Sequence, residues 1–276
     1  MNEYKLGRCP VCNNDKSKEI GSKVGLKLAK EFKIMHCIMC DCVYVDNPLP
    51  PMMVKEIYNE DYFSSKGLDT ESGYTQALAK QSAMFTKYDK TMGYELAQYP
   101  FVDNPKWLDV GCALGNVIEW VEKRYKANVF GVEVSEYAKQ VAISRGHTIL
   151  ANTIENVPTS YNGFFDVVTA YEVLEHLYNP QSFIKNVSRL LRKGGLFHYS
   201  TNIPPSEKEI LNWHYLRPEV HIVFYSPRCM KYLLELGGLK PHRRRIDTSM
   251  KWRTYLKLRH PSNLLRNMYQ PDGIKE

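Results

Sequence analysis

Residues 106–120, KWLDVGCALGNVIEW, decide the fold of this chain. The apolar residues at its start predict a buried strand of a parallel sheet. Gly111 and Gly115 then permit backbone angles and close approaches that a Cβ atom would block. Apolar residues at helical spacing follow, and a strand, a glycine turn and a helix start together aim free backbone N–H groups at a ligand.

The acid in this stretch indicates what kind of ligand the turn holds. The pattern is Asp109-x-Gly111-x-Ala113-x-Gly115, and the dinucleotide fingerprint Gly-x-Gly-x-x-Gly is absent. A carboxylate at the strand end suits a ligand with a sulfonium and an amino group, and it does not suit a pyrophosphate. A second predicted strand ends in Glu133, 24 residues after Asp109, where an acid can accept hydrogen bonds from both ribose hydroxyls. A generic nucleotide-binding Rossmann unit is the alternative.

The Asp109–Gly115 pattern resembles motif I of class I S-adenosylmethionine (SAM) methyltransferases, in the variant with Ala at the middle glycine. The resemblance implies an α/β fold, a Rossmann-like SAM methyltransferase sheet with helices on both faces, and SAM as cofactor. Asn152 stands where family members usually carry the Asp that takes the adenine amino group, and its side-chain oxygen can still accept a hydrogen bond. The implied cofactor-binding residues are Asp109, Gly111, Cys112, Ala113, Gly115, Glu133, Val134, Asn152, Thr153, Ile154 and Tyr171.

Two later segments supply the candidate catalytic residues. Residues 172–180, EVLEHLYNP, resemble the "EHxxNP" loop-helix that follows the fourth strand in this methyltransferase family. Residues 212–227 resemble its "H-x-x-x-PEH-x-x-F-x-S" segment, a lid or acceptor loop. Ligands gather at the carboxyl ends of parallel strands, and a hydroxyl acceptor must lose a proton, for which His is the usual base near neutral pH. The candidates are His176, His214, His221, Tyr215 and, as a carboxylate base, Glu172.

Other roles for these histidines stay open. His176 can hold its loop by hydrogen bonds, and His221 can position the acceptor segment without reacting.

The sequence offers no added catalytic metal cluster of Asp and His, so a magnesium-dependent catechol mechanism is not favoured.

Four cysteines near the N-terminus predict a structural zinc site. Cys9-x-x-Cys12 and Cys37-x-x-Cys40 are separated by 24 residues, which is the spacing style of a zinc ribbon. Cys42 could replace Cys40, His36 is a weaker candidate, and four reduced cysteines without metal are the alternative. Four thiolates leave no open coordination position, so this zinc has no role in the chemistry. With the strand and Asn-Pro exit after it, the segment resembles the N-terminal module of sugar and polysaccharide methyltransferases.

Length and composition predict one large domain plus a small one, in a cytoplasmic protein. The 276 residues, 43% hydrophobic, support a full core, and the N-terminus lacks a signal-peptide h-region. The predicted parts are a zinc-ribbon-like module at 1–50, a linker and helical cap at 51–105, the SAM-binding domain at 106–240 and a basic extension at 241–276. The cap is predicted to contain a long helix over residues 71–99.

The net charge of +7 is concentrated at the C-terminus. Residues 240–276 hold ten Lys or Arg against three acidic residues, which accounts for the whole excess. This tail predicts either a solvated basic face or a surface for phosphate groups or an anionic membrane.

These features favour a SAM-dependent O-methyltransferase acting on a sugar, capsule or other glycan-pathway metabolite, including nucleotide-linked or phosphorylated ones. Transfer of the methyl group to carbon or nitrogen stays open. One rival is an RNA methyltransferase that clamps RNA with the ribbon and the basic tail, although a nucleic acid partner is not favoured. A second rival is a non-catalytic SAM-binding partner subunit, because methyltransferase folds also serve as scaffolds.

Overall fold

The computed structural model describes residues 4–26, 28–64, 66, 81–97, 99–242 and 272–275. The chain forms two compact units. The first, here called the cysteine unit, contains residues 1–51, 170–189 and 196–276. The second, the glycine-turn unit, contains residues 52–169 and 190–195. The predicted basic surface at 243–271 lies outside the described residues.

The core of the glycine-turn unit is a parallel arrangement of three strands. Strand β4 pairs with β5 from Lys106↔Asn128 to Val110↔Val132, and β5 pairs with β6. Its elements are helices α1 (Pro51–Ile57), α2 (Glu60–Phe63), α3 (Gln81–Tyr88) and α4 (Tyr94–Leu96), strand β4 (Lys106–Val110), helix α5 (Asn116–Tyr125), strand β5 (Asn128–Val132), helix α6 (Glu136–Ser144), strand β6 (Thr148–Ala151) and most of strand β7 (Phe165–Tyr171).

Sequence patterns explain where these elements begin and end. Trp107 and Leu108 are fully buried, as expected of a central strand. Helix α6 is capped by Ser135, whose side-chain oxygen accepts a hydrogen bond from Ala138 N at 3.2 Å. The alternation of strand and helix from β4 to β6 therefore confirms the predicted Rossmann-like order.

The cap differs from the sequence prediction in its long helix. Before that helix, Asn59 accepts a hydrogen bond from Tyr62 N at 3.2 Å and thereby caps α2. The long helix predicted over 71–99 is helical from Gln81 to Leu96, where a π-helical stretch at Asp89–Gly93 joins α3 to α4. Residues 71–80 lie outside the described part of the chain.

The cysteine unit contains an antiparallel sheet of strand order β1-β2-β3-β9. Strand β9 comes from late in the chain and pairs with β3 in the register Cys42↔Tyr225, Val43↔Phe224 and Tyr44↔Val223. The strands are β1 (Ser17–Val24), β2 (Glu31–Cys37), β3 (Cys42–Val45) and β9 (Val223–Tyr225). The segment that carries Tyr215 and His221 therefore runs directly into the sheet of the N-terminal cysteine hairpin.

The remaining elements follow β7. They are helix α7 (Pro180–Leu190), strand β8 (Leu191–Ser200), helices α8 (Glu207–Ile210) and α9 (Pro227–Leu236), and strands β10 (Leu239–His242) and β11 (Asp272–Lys275). The larger sheet has the order β10-β11-β8-β7-β4-β5-β6, and β11 lies antiparallel to both of its neighbours. No described helix combines the length and the apolar character needed to cross a membrane.

Candidate functional site

The turn after β4 has backbone angles that favour glycine. Gly111 and Gly115 have φ angles of 72° and 83°, and Ala113 between them has 49°. Gly111 N donates to Val132 O at 2.8 Å, and Gly115 N donates to Cys112 O at 2.9 Å. The left-handed region disfavours residues with a Cβ atom, so the glycine spacing determines this turn. Helix α5 begins immediately after it at Asn116.

The turn is also packed too tightly for larger residues. A Cβ atom on Gly115 would lie 2.4 Å from Cδ2 of His147, and one on Gly131 would lie 2.7 Å from Sγ of Cys112. Cys112 itself is buried. The predicted cofactor residues Gly115 and Cys112 thus occupy positions where close approach of backbone and side chain is required.

Arg145, which the sequence analysis did not select, holds the turn from α6. Its guanidinium donates to the Leu114 carbonyl, to Asn116 Oδ1 at 2.9 Å and to Glu119 Oε2 at 2.6 Å. The only sequence signal was a basic residue before Gly146 at the end of a predicted helix, a position usually explained by the helix dipole.

Asp109 is a buried carboxyl at the end of β4. It accepts a hydrogen bond from Thr169 Oγ1 at 2.7 Å, and Trp107 Nε1 donates to the same hydroxyl at 3.0 Å. Burial raises the pKa of Asp109 to about 7, the hydrogen bond from Thr169 opposes this rise, and the charge of Glu133 adds to it. A bound cation would restore the ionised form, so the site suits a positively charged ligand.

Glu133 lies at the end of β5 and organises two backbone segments. Its Oε2 accepts from Ala113 N at 2.8 Å and its Oε1 accepts from Ser135 N at 2.7 Å. Burial raises the pKa of Glu133, and these backbone N–H groups counteract the rise. Each carboxylate oxygen has a second lone pair, so the carboxylate can still accept from a diol.

The other predicted cofactor residues lie at the ends of β5, β6 and β7. Val134 follows β5 and is exposed, and Asn152 follows β6, where its Oδ1 accepts from Lys139 Nζ at 3.1 Å. Thr153 donates to Asn156 Oδ1 at 2.7 Å, and Ile154 is buried. Tyr171 ends β7, and its hydroxyl is hydrogen-bonded to Nδ1 of the buried His198 at 2.9 Å. Their contacts with a cofactor stay predictions.

The structure brings together the four predicted zinc ligands, Cys9, Cys12, Cys37 and Cys40. The Sγ atoms of Cys9 and Cys40 lie 3.5 Å apart, as do those of Cys12 and Cys37, and all four lie within 4.8 Å of one another. Zinc–sulfur bonds of about 2.3 Å place tetrahedral sulfur ligands about 3.8 Å apart, so the group fits zinc.

The two substitutes considered for this group have other partners. Cys42 Sγ donates to Val43 O at 3.5 Å and also interacts with the thiols of Cys9, Cys40 and Cys229. It therefore lies beside the four-cysteine group without being one of its four members. The ring of His36 bonds Asp41 Oδ1 at 2.8 Å and also the Glu207 carboxylate. Zinc binding itself stays a prediction.

Glu172 and Tyr215 belong to a second polar cluster, in the cysteine unit, at the carboxyl ends of β7 and β8. Glu172 has a φ of 56°, an unusual conformation for a residue with a side chain. Its carboxylate accepts from Ser200 Oγ at 2.8 Å and from Tyr215 OH at 2.8 Å. Strain at a polar site is a feature of functional positions.

Glu175, which the sequence analysis quoted but did not select, is the most buried member of this cluster. It is 0% exposed, and its Oε1 accepts from Tyr215 OH. Burial, followed by the charge of Glu172, raises the pKa of Glu175 to about 8. In the sequence, only the position of Glu175 beside His176 in the EVLEHLYNP segment indicated a functional role. Its burial could not be deduced from the sequence.

His176 and His221 are held in one tautomer by backbone carbonyls. Nδ1 of His176 donates to Val220 O at 2.8 Å, and Nδ1 of His221 donates to Tyr215 O at 2.8 Å. Because a carbonyl oxygen only accepts, Nδ1 carries the proton and Nε2 carries the lone pair in the neutral rings. The ring centroids lie 4.8 Å apart, and burial lowers the pKa of His221 well below its usual value. His214 is exposed, and its ring lies edge-on to Trp213.

Comparison with known proteins agrees with this architecture. The methyltransferase domain family matches residues 81–243. A ubiquinone biosynthesis O-methyltransferase of Pectobacterium atrosepticum is 29% identical over 163 residues, which cover 57% of this chain and 64% of the relative. One of Pseudomonas aeruginosa is 36% identical over 104 residues, covering 35% and 44%. The chain spans less than two thirds of these relatives.

A solved structure shows the same fold at lower identity. A chain from a complex between the Haloferax volcanii Trm112 methyltransferase activator and a methyltransferase matches with a TM-score of 0.52 and 15% identity. The match covers 71% of this chain and 93% of the other. The fold and the glycine turn define a class I SAM-dependent methyltransferase. The chain belongs to the methyltransferase domain family.

Proposed function

We propose that this protein transfers the methyl group of SAM to a hydroxyl oxygen of a small molecule. The observation that carries the proposal is the pair of buried acids, Asp109 and Glu133, beside one left-handed glycine turn in a methyltransferase domain. The curated relatives are named O-methyltransferases, which supports oxygen as the receiving atom.

The buried acids have separate roles in cofactor binding. Asp109 is suited to the cationic end of SAM, because a positive charge offsets the cost of ionising a buried carboxyl. Glu133 is suited to the ribose hydroxyls, and its hydrogen bonds to Ala113 N and Ser135 N hold it in place for them. When bound, SAM supplies an electrophilic methyl group, and orientation of the acceptor provides much of the catalysis.

Proton removal from the acceptor is assigned to the cluster around Tyr215. His176 is the first choice as general base, because its Nδ1–H is held by Val220 O and its Nε2 carries the lone pair. His214 and then His221 follow in preference, with Glu172 as the carboxylate alternative. The Tyr215 hydroxyl is hydrogen-bonded to the carboxyl groups of Glu172 and Glu175 and is suited to orient the acceptor.

The acceptor class divides into two candidates. A sugar, capsule or other glycan-pathway metabolite is favoured by the N-terminal cysteine module and its resemblance to sugar methyltransferases. An acceptor of ubiquinone biosynthesis is favoured by the names of the curated relatives.

The decisive experiment incubates the protein with methyl-labelled SAM and three acceptor pools. These are a nucleotide-sugar and glycan fraction, a quinone-precursor fraction and total RNA, and products are read by mass spectrometry. We expect a single added methyl group on a hydroxyl in one of the first two pools. Labelled RNA, with binding that weakens steeply with salt, would contradict a small-molecule acceptor. SAM binding with no product in any pool would instead favour a non-catalytic partner subunit.

A further inference from the structure

Three groups of metal-ligating type meet in the cysteine unit, apart from the four cysteines. One carboxylate oxygen of Glu175 and one ring nitrogen each of His176 and His221 lie within 4.8 Å of one another. We propose that Glu175, His176 and His221 bind a first-row divalent cation of the zinc type. The sequence did not predict this cluster, because His221 is remote from the other two residues along the chain.

Glu175 provides the first argument for a cation. Its Oε1 accepts from Tyr215, whereas its Oε2 is buried and has no hydrogen-bond partner at ordinary distance in the described part of the chain. The Thr201 hydroxyl, likewise without such a partner, favours the charged form of Glu175. Leaving a buried carboxylate oxygen unsatisfied destabilises a protein, and a bound cation removes that penalty. The second carboxylate of the cluster, Glu172, adds negative charge beside it.

The histidines provide the second argument. Both donate Nδ1–H to a backbone carbonyl at 2.8 Å, His176 to Val220 and His221 to Tyr215. Metal-bound histidines usually have this support, because it fixes the tautomer and directs Nε2 toward the ion.

The geometry admits an ion after a local closing movement. Bonds of about 2.0–2.2 Å from zinc to nitrogen or oxygen place tetrahedral ligand atoms about 3.3–3.6 Å apart. The three ligand atoms lie within 4.8 Å of one another, so the most distant pair closes by about 1.5 Å at most. Three protein ligands leave one coordination position open, unlike the four-thiolate group. With the ion bound, Nε2 of His176 is a ligand and no longer a base, so proton removal then passes to His214 or Glu172. Nitrogen and oxygen donors also suit manganese, iron or cobalt better than thiolates do.

The competing explanation is that Glu175 simply keeps a proton. Burial and the charge of Glu172 raise its pKa to about 8, and a protonated carboxyl lowers the cost of burial without any ion. Metal binding can be measured without SAM and without an acceptor, so the test does not depend on the proposed activity.

The experiment adds Co²⁺ to the purified full chain whose four-cysteine group has been loaded with one equivalent of Zn²⁺. Calorimetry and metal analysis should detect one further equivalent in the wild type. Glu175→Gln and His221→Ala should each lose it, while His214→Ala, which removes an exposed histidine of the same segment, should keep it. Circular dichroism checks that each variant is folded.

A second measurement uses the wild type alone and remains informative if the variants unfold. With histidine labelled by ¹⁵N, addition of Zn²⁺ beyond the first equivalent should shift the ring signals of two of the eight histidines. The absence of a further equivalent, its retention in both variants, or unshifted histidine signals would overturn the proposal.

Discussion

Two buried carboxyl groups support the proposed binding of SAM. Asp109 and Glu133 are both buried, and both are stabilised by a small number of hydrogen bonds from Thr169, Ala113 and Ser135. Each therefore pays a desolvation cost that a ligand of suitable charge or hydrogen-bonding capacity can offset. Substitutions of these two residues are therefore the most direct tests of the proposed cofactor site.

Glu133→Ala should weaken SAM binding by about 1.5–3 kcal/mol, the scale of a hydrogen bond to a charged group. The matched control is Glu136→Ala, which removes an exposed carboxylate three residues later that pairs with Lys139. Isothermal calorimetry measures both, and thermal melts verify that the Glu133 variant is folded. Equal SAM affinity in the wild type and Glu133→Ala would reject the ribose assignment.

SAM binding should depend on pH through Asp109. The free carboxyl has its pKa raised to about 7 by burial, so most of it is protonated below that pH. A cationic ligand needs the carboxylate, so affinity should fall as pH decreases, by up to about fivefold from pH 7 to 6. Proton release on binding, measured by calorimetry in buffers of different ionisation heat, should accompany it. Asp109→Asn should bind more weakly and show no such release, and a pH-independent wild type would contradict the assignment.

The sequence predicted these acids because each ends a strand with a recognisable apolar pattern. It did not predict Thr169, Arg145 or Glu175. Their importance comes from burial and from partners distant in the chain, and an isolated Thr, Arg or Glu has no local pattern that reports either.

At the scale of elements, the glycine turn depends on the helix packed beside it. Gly115 has a positive φ, and His147 after α6 fills the space where a Cβ atom would be. Arg145 on the same side donates to the Leu114 carbonyl. The turn, α5 and the end of α6 therefore form one packed group.

Gly115→Ala should be much more destabilising than Gly146→Ala. Both positions have positive φ, 83° and 89°, so both substitutions cost about 1–2 kcal/mol for the left-handed conformation. Only Gly115 also meets a side chain, since its Cβ would lie 2.4 Å from His147 and nothing lies within 4 Å at Gly146. Overpacking adds about 1–3 kcal/mol. Urea unfolding of both variants measures the difference.

The double variant Gly115→Ala/His147→Ala separates the two costs. If the side-chain contact is the cause, removal of the ring should recover part of the lost stability relative to His147→Ala alone. Equal losses at Gly115 and Gly146 would show that only the backbone conformation matters.

Strands with a strong apolar pattern were predicted from the sequence. Pairing between strands that are far apart in the sequence was not. The positions of β4 and β5, which end in the predicted acids, followed from apolar residues and glycines. The pairing of β3 with β9 could not be predicted, because it joins Cys42 to Tyr225 and nothing near either residue specifies the partner.

At the scale of the whole molecule, the N-terminal cysteines and the acceptor candidates belong to one unit. Strand β9 follows His221 and pairs with β3, and Val45 N donates to Ile222 O at 2.9 Å. Lys23 Nζ donates to Trp213 O at 3.1 Å in the same unit. The zinc group is therefore expected to stabilise the segment that carries Tyr215 and His221, although it has no open position for chemistry.

Loss of zinc should consequently affect the acceptor segment before the SAM-binding residues. Cys9→Ser should lose the one equivalent of metal expected for Cys9, Cys12, Cys37 and Cys40, while Cys112→Ser, a buried cysteine outside the group, should keep it. Structural zinc contributes directly to folding free energy, so amides of β3 and β9 should exchange faster with deuterium in Cys9→Ser.

In the same variant, amides of β4 and β5 should retain their protection and SAM affinity should stay within about twofold, because Asp109, Glu133 and the glycine turn belong to the other unit. Turnover on an identified acceptor should fall. Hydrogen exchange read by mass spectrometry, with metal analysis of the same samples, tests the prediction. A stable wild type purified without metal, or equal exchange in β9 with and without Cys9, would show that the four cysteines do not support the acceptor segment through zinc.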